Sequence, residues 1–83
     1  MKYFVYIVYN QQNDKFYIGQ TNDLHRRLEE HNTGKVNFTS KYRGSWELVF
    51  KEEFLKRTEA IQRENFLKKQ KNKIFYKRLC NLF

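Results

Sequence analysis

The segment Tyr3–Gly19, YFVYIVYNQQNDKFYIG, decides the fold. Tyr3–Tyr9 is β-branched or aromatic at both alternating sets of positions, the pattern of a strand buried on two faces and therefore central in its sheet. The polar cluster Asn10–Asp14 interrupts the run, and Lys15–Gly19 resumes β character. The pair reads as an antiparallel hairpin closed by a loop of about four or five residues. A turn centred between Gln11 and Gln12 sets Tyr6 opposite Tyr17, with both hydroxyls leaving one face of the sheet.

Downstream, Thr21, Asn22 and Asp23 offer caps for a helix running to about Asn32, with Gly34 as its stop. Thr33–Ser45 reads as a loop without a clear period. WELVFKEEF, residues 46–54, reads as a third strand whose Trp46, Leu48 and Phe50 share a face. Thr58 caps a second helix, with Glu59 in its first turn and Ala60, Ile61 and Leu67 marking its buried side. A further short helix packs through Ile74, Phe75, Leu79 and Leu82. The expected architecture is an α/β (α+β) single domain over residues 1–83, a three-stranded antiparallel sheet flanked by helices.

Composition narrows the class. With 83 residues and 18% aromatic side chains, the chain builds a small core from large rings. Its one cysteine, Cys80, has no disulfide partner in the chain, which suits a reducing, cytoplasmic setting. No apolar run reaches the roughly 18 to 20 residues of a membrane span, and the N-terminal run lacks a cleavage site, so a soluble protein is expected. Net charge is +8, of which +7 falls in residues 55–83. That asymmetry points to a polyanionic partner. Lys68, Lys69, Lys71 and Lys73 are candidate phosphate contacts there, and Thr39 and Lys41 are candidates in the 33–45 loop.

The chemistry lies in charges that point inward. Leu24 and Leu28 define the buried face of the first helix, and Arg27 and His31 project from that same face. Glu64 falls within the apolar stripe of the second. An uncompensated interior charge costs several kcal/mol, on the order of its desolvation penalty. The sequence holds no nucleotide-binding glycine loop, zinc-ligand cluster or serine elbow. An inward acid, an inward guanidinium and a tyrosine or histidine instead suit phosphodiester cleavage. That reaction needs a ligand for a divalent metal, a cation for the phosphate and a base beside the attacking water.

Phe4-Val5-Tyr6 followed by Tyr17-Ile18-Gly19, then Arg27 in DLHRRL, His31, and Glu64 in AIQREN, resembles the ordered motifs of GIY-YIG nucleases, especially small stand-alone bacterial members. The resemblance implies Mg²⁺ (or Mn²⁺)-dependent endonuclease action on DNA, one strand per active site, in repair or recombination. By position, Glu64 would hold the metal and Arg27 the scissile phosphate, Tyr6 or Tyr17 would activate or orient water, and His31 would either share in proton transfer or close the helix by meeting its C-terminal dipole. Phe4 stands where the name-giving glycine does. No DNA-targeting domain is appended within these residues, so a monomeric core acting on duplex or branched DNA would draw specificity from a protein partner. The rival expectation is a non-catalytic module that keeps the fold and binds DNA or RNA.

Overall fold

Strand β1 (Tyr3–Asn10) lies between β2 (Lys15–Thr21) and β3 (Glu47–Phe54), and both pairings are antiparallel. The computed structural model describes residues 1–82. Central placement follows from Val5, Tyr6, Ile7 and Val8, four consecutive residues that are all buried and so require cover on both faces of the sheet. Val5, Ile7 and Ile18 form one core with Ala60 and Leu67 of α3 (Arg57–Gln70) and Tyr76 of α4 (Lys73–Leu79). Tyr6 and Val8 form the other with Trp46, joined by Leu48 and by Leu24 and Leu28 of α1 (Leu24–Asn32). This is the expected three-stranded sheet with helices on both sides.

Several local expectations are corrected. Tyr6 pairs with Gly19, and Tyr17 stands opposite Val8, two residues from the anticipated register. The turn centres between Gln12 and Asn13, because the Asn10 side chain accepts from the Asn13 amide at 3.0 Å and Asp14 takes a φ of +53°. A shift of two keeps every side chain on its face, so Tyr6 and Tyr17 still share one. The β1/β3 register slips between Ile7 and Val8. That bulge sends Phe50, with Val49, into the α3 core while Leu48 stays with Trp46.

The helices differ at their edges. α3 starts at Arg57, so Thr58 lies inside the first turn and caps nothing. Ile61 is half-exposed, since the inward stripe runs from Ala60 to Leu67 and Ile61 sits one residue, about 100°, around the helix. In α4 the anchor is Tyr76, while Ile74 and Leu82 are exposed; Phe75 and Leu79 pack as expected. The Tyr76 hydroxyl donates to the Leu67 carbonyl at 2.7 Å and accepts from the Lys71 amide at 3.1 Å. It thereby satisfies backbone groups at the end of α3, where Lys71 adopts a left-handed φ of +48°. Within the 33–45 stretch lies one helical turn, α2 (Asn37–Ser40), too short to leave a periodic signal. Among the described residues no helix is long and apolar enough to cross a membrane.

Candidate active site

The site grows from β1. Tyr6 is buried in the strand, and its ring lies over Gly19 of the neighbouring strand. A Cβ at Gly19 would stand 2.5 Å from the Tyr6 hydroxyl and 2.7 Å from its Cζ, distances that no real contact reaches. The glycine therefore creates the space in which the tyrosine hydroxyl rests. Opposite, α1 is set by its cap: Asp23 accepts from the Arg26 amide at 3.1 Å, and Leu24 and Leu28 seat the helix on the sheet. That docking turns Arg27 and His31 toward Tyr6 and leaves Arg26 exposed.

Arg27 Nε donates to the Tyr6 hydroxyl at 3.2 Å, and its Nη1 reaches Glu30 Oε1 at 3.0 Å. His31, 2% exposed, lies 2.9 Å through Nε2 from the same hydroxyl and 3.0 Å through Nδ1 from Thr39 Oγ1. The proton positions are assigned from these partners. Thr39 gives its hydroxyl hydrogen to the Val36 carbonyl at 3.3 Å, so its oxygen accepts from His31 Nδ1–H, and Nε2 is left bare to accept from Tyr6. Thr39 is itself pinned by the Trp46 indole, which donates to its carbonyl at 3.2 Å. It is buried, so it supports His31 from behind and does not present a surface to DNA.

The electrostatics keep this proton on the phenol. Burial, with smaller additions from Tyr17 and Glu64, pushes the Tyr6 hydroxyl up to about 12 despite the opposing pull of Arg27. Burial first, then Arg27, lowers His31 to about 4. At neutral pH the pair is thus tyrosine and neutral imidazole. Because the folded His31 value lies below the ordinary 6.5, the unfolded chain binds more protons between the two, and stability falls as pH drops through that window. Urea unfolding at pH 5 is expected to give about 2 kcal/mol less stability than at pH 7, and the difference should largely vanish in His31→Gln. An equal pH difference in both proteins would refute the assignment. Asp14, held down to about 2 chiefly by the Tyr9 hydrogen bond, titrates below this range.

Tyr17 contributes its ring, edge-on to His31 at 4.8 Å and tilted to Tyr6 at 6.4 Å; its hydroxyl has no hydrogen bond among the described residues. Glu64, on α3, is 15% exposed, and its Oε2 lies 2.7 Å from Lys68 Nζ. Glu64 and Arg27 form no ion pair with each other; each has an oppositely charged partner on its own helix. Lys41, Lys69 and Lys71 are exposed, whereas Lys73 engages Asp14 at 3.3 Å. Among the described residues, no three His, Cys, Asp or Glu side chains gather as a metal cluster. Sequence reasoning missed the steric part of Gly19, for which a glycine inside a strand was the available signal, and the Thr39 prop, which left none.

A family model described as the GIY-YIG catalytic domain matches residues 2–78. The chain belongs to the GIY-YIG family. It is 43% identical over 67 residues to the UPF0213 protein YazA of Bacillus subtilis, spanning 81% of this chain and 67% of that one. It is 36% identical over 81 residues to a UPF0213 protein of Staphylococcus haemolyticus, spanning 93% and 98% respectively. The solution NMR structure of a UPF0213 protein from Bacillus halodurans superposes with a TM-score of 0.58 at 29% identity, covering 99% of this chain and 85% of that one. In this GIY-YIG domain the two motifs are adjacent strands, and the last tyrosine of the first faces the glycine of the second. The domain is of a nuclease family, and nucleic acid is the substrate class it implies.

Proposed function

We propose that this GIY-YIG domain is a divalent-metal-dependent DNA endonuclease that hydrolyses one strand per active site. The observation that carries the proposal is the Tyr6 hydroxyl, held between the Arg27 guanidinium and the bare Nε2 of His31. In that position the Tyr6 oxygen takes a proton from the attacking water while its own proton passes to His31. The hop leaves no free phenolate, which the raised Tyr6 value disfavours. Arg27 binds the scissile phosphodiester, whose negative charge offsets the effect of Arg27 on His31 and so eases imidazole protonation. Tyr17 walls the cleft beside His31.

Glu64 would hold the metal. Its carboxylate lies 2.7 Å from the Lys68 ammonium, and its negative charge suits a cation. A single protein carboxylate suits Mg²⁺, an ion that keeps several waters and takes further oxygens from substrate phosphate. When bound, such an ion polarises the phosphate and lowers the pKa of water. The exposed Lys41, Lys69 and Lys71 supply salt-sensitive contacts to duplex or branched DNA. A role in repair or recombination, with a partner supplying specificity, fits a core of this size.

The test is nicking of supercoiled and branched DNA in Mg²⁺ or Mn²⁺ by the wild type and by Tyr6→Phe. The wild type is expected to cut and the variant to be slower by about 10²-fold, the lower end for a positioned acid-base group. Salt-sensitive binding without cleavage on every substrate would instead make the domain a binding module.

A further inference from the structure

We propose that Lys68 is the resident counter-ion of the metal position: its ammonium occupies the Glu64 carboxylate in the metal-free protein, and a divalent cation binds by displacing it. The inference rests on the reading of Glu64 as metal ligand and adds a competitor for that site built into the same helix.

The geometry is asymmetric. Glu64 and Lys68 are four residues apart on α3, with Nζ 2.7 Å from Oε2, yet the acid is 15% exposed and the lysine 49%. An ordinary i,i+4 pair lies wholly on the solvated face of a helix. Here the carboxylate belongs to the inward side, between the buried Ala60 and Leu67, and the lysine reaches in to it from solvent. The other cations near α3 and the site have their own acids: Arg63 Nε meets Glu52 Oε1 at 2.7 Å and Arg27 meets Glu30 at 3.0 Å. Lys68 is therefore the cation that compensates Glu64 among the described residues. Its flexible stem and half-exposed ammonium let it withdraw to water without opening the core. A monovalent ammonium at that oxygen and a divalent ion exclude one another by space and by repulsion. Metal loading also frees the ammonium beside the exposed Lys69 and Lys71, adding one positive charge to the surface that meets a polyanion.

The experiment measures Mn²⁺ binding to the DNA-free protein from the electron paramagnetic resonance signal of the free aquo ion, so that no cleavage is involved. Wild type is compared with Lys68→Met, Lys68→Arg, Lys69→Met and Glu64→Gln, each first shown by circular dichroism and thermal melting to be folded. Lys68→Met is expected to bind Mn²⁺ at least about threefold more tightly than wild type. Lys68→Arg, which keeps the competing cation, and Lys69→Met, which removes an adjacent charge with no acid partner among the described residues, should stay within about twofold of wild type. Binding in Lys68→Met where wild type shows none supports the exchange equally. Affinity in Lys68→Met no higher than wild type, or an equal gain in Lys69→Met, overturns the proposal while leaving Glu64 as ligand. Mn²⁺ binding untouched by Glu64→Gln overturns the Glu64 reading and the exchange with it, and binding absent from every variant overturns the exchange in the DNA-free protein.

Discussion

Glu64→Gln is expected to slow DNA nicking by about 10³-fold or more while the domain stays folded. The amide matches the carboxylate in size, so α3 keeps its packing through Ala60 and Leu67. What disappears is the negative charge that would bind the metal. A Lewis-acidic ion contributes several kcal/mol to stabilising a phosphoryl transition state, and about 1.4 kcal/mol corresponds to each factor of ten. The fold loses only the contact with Lys68, a pair with one half-exposed partner, worth at most about 1 kcal/mol. The two effects therefore separate in measurement: initial nicking rates should collapse, and the urea midpoint should hardly move. Nicking by Glu64→Gln at the wild-type rate would remove Glu64 from the site.

Gly19→Ala is expected to damage activity and stability together, slowing nicking by more than about 10²-fold and costing about 1–3 kcal/mol. The new methyl would stand 2.5 Å from the Tyr6 hydroxyl and 2.7 Å from Cζ. The ring cannot simply swing aside, because it is buried and its hydroxyl is tied to Arg27 and His31. Either the strands part or the hydroxyl leaves its two partners, and a displacement near 1 Å is enough to disable a positioned group. The cause is steric and lies in the pairing of Tyr6 with Gly19. Gly34→Ala is the contrasting control: Gly34 has a φ of +78° with nothing within 4 Å of a built Cβ, so that change strains the backbone after α1 and leaves the site alone. Comparing nicking rates and urea midpoints for the two variants checks the argument. Equal activity in both would refute it.

Some of this site is written in local sequence. The inward aim of Arg27 and His31 follows from Leu24 and Leu28, since helix geometry fixes which residues share a face whatever the helix packs against. The same reasoning places Glu64 near Ala60 and Leu67, and it places Tyr6 and Tyr17 on one sheet face for any register differing by two. Ile61 shows the limit, because a stripe read from composition alone admits a residue that the helix rotation leaves half-exposed. Tyr76, a polar ring, became the α4 anchor because unsatisfied backbone groups at the end of α3 could use its hydroxyl.

The sequence by itself therefore determined the central strand, the hairpin, the three longer helices and the set of charges that must face inward, because these depend on chain periodicity and burial. Only the tertiary structure decided which groups meet. The hairpin turn moved Tyr6 onto Gly19, and the β3 bulge divided Phe50 from Leu48. A helical turn at 37–40 brought Thr39 beneath His31, eight residues away, and so chose its tautomer. Those contacts arise from register and from docking of separate elements, and no local period encodes either.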